Sequence, residues 1–120
     1  MNMNEFITRS LHLVTVAHMM HLNTKSYSQH KALGSFYSDL DSKVDAVAEA
    51  WMGENELEFD TFTIDVPKPN DAIKIITEYC NLCHEMAKLL DVDEYGYIIN
   101  MIQDIEALNY STIYKLKNLK

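Results

Sequence analysis

Apolar side chains recur at alternating steps of three and four along most of this chain, the spacing that gathers them on one face of an α-helix. From about Glu5 to Lys25 the stripe is Ile7, Leu11, Val14, His18 and His21. From about Gln29 to Met52 it is Leu33, Tyr37, Leu40, Val44, Val47 and Trp51, with Gly53 placed to stop the helix. The polar stretch between them is short enough to make the two helices antiparallel neighbours. A third helix, capped by Asn70, is carried by Ile73, Ile76, Cys80, Cys83, Ala87 and Leu90. A fourth, capped by Asp91 or Asp93, is carried by Ile98, Met101, Ile105, Leu108 and Leu116.

Residues 54–69 break this rhythm. They begin acidic, then alternate, and close on Pro67-Lys68-Pro69. That pattern predicts an extended crossover between helices two and three, with room for a brief strand. Two short turns and one long crossover describe an all-α, four-helix bundle with ferritin-like connectivity, occupying residues 1–120 as one domain. Composition agrees, since three glycines and two prolines in 120 residues are too few for the many tight turns of a β-fold. No apolar run approaches the roughly 18 residues of a membrane span. The opening Met-Asn-Met-Asn-Glu-Phe does not read as a secretory signal, and two cysteines do not make a disulfide scaffold. A cytoplasmic setting is expected.

The formal net charge is −8, which makes DNA binding doubtful despite the basic end formed by Lys115, Lys117 and Lys120. Histidine placement is more informative. His18 and His21 continue an apolar stripe where Leu or Val would suit a plain core, and buried imidazoles need partners. On the second helix, Asp41, Asp45 and Glu49 lie about 20°, 60° and 100° round from His30, on one face. An isolated acidic edge is usually just solvated. Here Asp45 and Glu49 are embedded in an apolar neighbourhood, Val44, Val47, Ala48 and Trp51, and carboxylates four apart on a helix can share a cation.

In this order the residues resemble the ferroxidase segment of Dps proteins, the DNA-binding proteins from starved cells. The likeness is carried by His21-Leu22-Asn23, then Tyr27-x-x-His30, then Tyr37-x-x-Leu40 and Val44-Asp45-x-x-Ala48-Glu49, and covers roughly residues 18–51. It implies iron ligands at His21, His30, Asp45 and Glu49, with His18 and Asp41 as further candidates, and oxidation of Fe(II) for iron detoxification or storage. His21 and His30 stand nine apart, closer than in the family, which keeps His18 open as the substitute for His21. The chain looks like a short, diverged relative such as a virus could carry, which would place it in the host cytoplasm.

Geometry restricts such a site. Fifteen helical residues span about 22 Å, so His30 and Asp45 of one chain cannot hold the same ion. A turn near Ser28 would leave His21 about 15 Å from Asp45 along the axis. The ligands therefore have to come from two chains related by a two-fold axis, so at least a homodimer is expected, and a larger cage is open. The in-chain rival is His12, level with Asp45. Cys80-Asn81-Leu82-Cys83-His84 matches the covalent haem-attachment pattern. Haem is not favoured, because both cysteines fall on the apolar seam, where free cysteine is more often a small buried hydrophobe. The competing functional reading is a non-catalytic helical oligomer with a structural or partner-binding role.

Overall fold

Each helix begins where a short polar side chain can satisfy its free N–H groups. The structure, a computed structural model, describes residues 1–59 and 70–120. Asn2 caps α1 (Met3–Asn23), accepting from the Glu5 N–H at 2.9 Å. Ser26 caps α2 (Tyr27–Met52), accepting from the Gln29 N–H at 3.3 Å. Asp71 rather than Asn70 caps α3 (Ala72–Leu89), and Asp91 caps α4 (Val92–Asn118). The shift from Asn70 to Asp71 follows from reach: the Asp71 carboxylate accepts from the Lys74 N–H, three residues on. Helix α2 does end at Gly53, yet with φ −65° and not in the left-handed conformation glycine usually supplies there. Within α4, Tyr95 departs from helical geometry (φ −119°, ψ 26°) and marks a kink.

Helix α1 packs on α2 and α3, and α4 packs on the same two, so α1 lies diagonally from α4 and α2 from α3. A recess walled by Met20, Gln29, Leu33, Ile73 and Leu116 joins the end of α1, the start of α2, the start of α3 and the end of α4. At the opposite end, Trp51 packs on Tyr95 with ring centroids 4.9 Å apart. The order is therefore up, down, down, up, the ferritin-like connectivity. Helix α2 finishes at one end and α3 starts at the other, which is why the link between them is long. Of the extended crossover expected over 54–69, residues 60–69 lie outside the described residues. Among the described residues, no helix is long and apolar enough to cross a membrane.

The core contains the expected seams of α2, α3 and α4, from Leu33, Leu40, Val44 and Val47 through Ile76 and Cys83 to Ile98 and Ile105. In α1 the expected stripe is displaced. The buried positions are Met3, Phe6, Ser10, Leu13, Ala17 and Met20, with Ile7 and Val16 beside them, while Leu11 is 39% exposed and His18 is exposed. Both stripes obey the same three-four spacing. Packing of Phe6 on Tyr79 of α3, and of Ser10 on the same residue, rotates the larger apolar set inward. The stripe ending in His18 and His21 is left along the α2 edge.

Candidate functional site

The displaced α1 stripe places its histidines against α2. The Nδ1–H of His21 donates to the His30 carbonyl at 2.6 Å, and the Nδ1–H of His30 donates to the His21 carbonyl at 2.8 Å. A carbonyl can only accept, so each ring carries its proton on Nδ1 and, when neutral, keeps the lone pair on Nε2. The two rings stack with centroids 3.7 Å apart and planes 20° from parallel. The His21 carbonyl belongs to the last turn of α1, where no helical N–H follows to satisfy it, and His30 takes that role. Gly34 makes the approach feasible. A Cβ at that position would stand 3.0 Å from the Cε1 of His21 and 3.1 Å from its Nδ1. Next along the seam, His18 stacks on Tyr37 at 4.2 Å, and Tyr37 meets His21 edge-on at 5.4 Å. His21, His30, Gly34, Lys31 and Asp39 line a surface recess of about 420 Å3.

The carboxylates are elsewhere. Asp41, Asp45 and Glu49 are exposed along α2, and neither the Asp45 nor the Glu49 carboxylate has a hydrogen bond or ion pair among the described residues. His21 is level with His30 and Gly34, which puts it about 17–22 Å from Asp45 along the axis, farther than a turn near Ser28 implied, because α2 starts at Tyr27. The four sequence candidates thus divide into an imidazole pair at one end of α2 and a carboxylate pair toward the other. Among the described residues, no group of three or more His, Cys, Asp or Glu side chains is placed to hold a metal ion. That includes the in-chain alternative built on His12, whose Nε2 is buried without a partner among the described residues.

Cys80 and Cys83 are free thiols buried in the core. Burial pushes the Cys83 thiol up to about 12 and raises Cys80 as well. The two thiols face inward, with the Asn109 amide donating to the Cys83 sulfur at 3.8 Å, while His84 of the same motif is exposed. Tyr79 donates to the Ser10 hydroxyl at 2.8 Å, so a buried polar layer links α1, α3 and α4. Sequence reasoning missed that layer, and it missed Gly34. A glycine in the interior of a helix was the available signal for the second.

A relative from Enterobacteria phage T4, described as an uncharacterized 14.6 kDa protein in the mobD-ri intergenic region, is 29% identical over 100 residues, 82% of this chain and 75% of the relative. No solved structure matches. The model of a family of unknown function, DUF5856, matches residues 21–116, from His21 through Leu116, and the chain belongs to that family.

Proposed function

We propose that two copies of this chain meet through their α1/α2 faces and oxidise Fe(II), the substrate, at sites shared between them, serving iron detoxification or storage. The observation that carries this reading is the His21–His30 pair. Each ring is oriented by an Nδ1–H bond to a carbonyl, the arrangement that commonly fixes a metal-binding imidazole, and each keeps Nε2 for a ligand. The Asp45 and Glu49 carboxylates have no partners among the described residues and stand too far away to join these rings in one chain. A two-fold axis between the two ends of α2 brings the imidazoles of one copy to the carboxylates of the other. There the carboxylates favour Fe(III), the imidazoles complete the ligand set, and the electron passes to dioxygen or peroxide.

Complementation tests the reading. A variant with His21→Ala and His30→Ala, and another with Asp45→Ala and Glu49→Ala, should each be inactive. Refolded together, about half the dimers are mixed, each with one intact site, so oxidation should return to roughly a quarter of the parent rate. Mixed dimers without activity would overturn the shared site. A second reading, a non-catalytic helical oligomer, is favoured by the stacking itself: the histidines already tie α1 to α2. Aerobic Fe(II) oxidation no faster with protein than without would favour it.

A further inference from the structure

The two ends of the bundle carry opposite net charge, although Asp71 is also exposed at the one and Lys88 at the other. Lys25 at the α1–α2 turn, Lys31 on α2, Lys74 at the start of α3, and Lys115 and Lys117 on α4 are all exposed at the end where those elements meet. The other end gathers Glu54, Glu56 and Glu58 beyond α2 with Asp91, Asp93 and Glu94 around the start of α4, all exposed. Part of this is ordinary helix electrostatics, because acids at the start and lysines at the finish of α4 suit its dipole. The rest runs against it. Lys74 stands beside the positive N-terminal end of α3, and Glu49 and Glu54 beside the negative end of α2. Helix stability does not account for those positions.

Each charged end also exposes large apolar side chains. At the lysine end, Tyr27 is 74% and Leu119 50% exposed, and with Ala32, Lys31 and Lys115 they line a groove of about 330 Å3. The Lys31 ammonium lies 5.9 Å over the Tyr27 ring. At the carboxylate end, Val92 is 73% and Leu89 60% exposed, with Met52 close by in the fold. Tyr97 donates to the Glu54 carboxylate at 2.6 Å there. We propose that copies of this chain associate head to tail, the lysine-rimmed apolar end of one bundle seating on the carboxylate-rimmed apolar end of the next. Opposite ends attract, and like ends repel, so the contact is heterologous and propagates instead of closing as a pair.

The contact is weak. The Cα extents are 43 × 29 × 20 Å, so one end offers roughly 500 Å2, below the ~800 Å2 per partner of a standard stable interface. Association should therefore need concentrated protein and low salt. It does not depend on the iron reading, although the two surfaces share Lys31, which also lines the His21–His30 recess.

Sedimentation velocity across a concentration series, at about 20 mM and about 500 mM salt, tests it. The mean mass should rise with concentration at low salt and fall back at high salt. Two charge-swapped chains sharpen the test: Lys25→Glu, Lys74→Glu, Lys115→Glu and Lys117→Glu together make both ends acidic, and Glu54→Lys, Glu56→Lys, Glu58→Lys and Asp93→Lys together make both ends basic. Each, shown folded by its circular dichroism and melting, should fail to grow alone, and an equimolar mixture should regain growth. A parent protein whose mass is independent of salt would overturn the proposal. So would growth that survives both swaps, or a mixture that does not recover. Association that stops at a dimer and ignores the swaps would also overturn it, and would leave α1/α2 pairing as the interface.

Discussion

Gly34 and Gly96 are both helical glycines, and they should respond in opposite ways to the same substitution. Alanine is favoured over glycine in a helix by about 1 kcal/mol. At Gly96 a Cβ meets nothing within 4 Å, so Gly96→Ala should raise stability by about 0.5–1 kcal/mol. At Gly34 the Cβ meets the His21 ring, which cannot swing away freely because it is bonded to the His30 carbonyl and stacked on the His30 ring. Gly34→Ala should therefore lose about 1–2 kcal/mol net in urea unfolding, as it gives up a half-buried hydrogen bond and ring contact. A stabilised Gly34→Ala would mean that the ring yields and the two histidines do not hold the helices. The sequence marked His21 and His30 as unusual, but it did not show that they touch. Their contact depends on where the turn falls, and Thr24 to Ser26 is a tighter connection than a polar run from Asn23 to Ser28 suggests.

Among the helices, α2, α3 and α4 were legible because one apolar stripe in each outweighs every other direction around it. Helix α1 was not, because it carries two competing stripes, and the deciding partner, Tyr79 on α3, is some seventy residues away in sequence. Tyr79 and the neighbouring Cys83 give α3 a measurable pH response. Burial raises the Cys83 thiol to about 12 and lifts Tyr79 well above its usual value, with the neighbouring cysteines adding to both. In the unfolded chain a thiol ionises near ~8.5. The folded state thus holds these protons more tightly, and the stability they contribute is complete below about pH 8.5 and is lost as pH rises toward about 12. Unfolding free energy measured from about pH 8 to about pH 11 should fall steadily, and Cys83→Ala, less stable at neutral pH, should fall less steeply. Equal slopes would show that the thiol ionises as readily in the folded chain as in the unfolded one.

Over the whole molecule, connectivity was readable from loop length alone, since one long link between two short turns forces α3 to start beside the α1–α2 turn. Charge distribution was not, because it depends on which termini that connectivity brings together. The sequence shows three lysines at its C-terminal end, and the fold sets Lys25, Lys31 and Lys74 around the same end of the bundle. Six lysines in one place raise the question of DNA more sharply than three, yet the chain remains at −8 overall. A duplex meeting the lysine end still feels the carboxylates around it at low salt, where screening reaches about 30 Å, within the length of the bundle. At physiological salt those distant charges are screened, but so is much of the attraction. Up to six phosphate contacts would give a log–log salt slope of about −5. Between about 50 and 200 mM salt that slope removes roughly a thousandfold in affinity, which leaves little of any complex formed at the lower value. A gel shift should accordingly show at most a weak complex at low salt and none at about 150 mM. A tight complex at about 150 mM would require base or backbone contacts beyond these lysines, and Lys31→Glu with Lys115→Glu would then leave much of the binding intact.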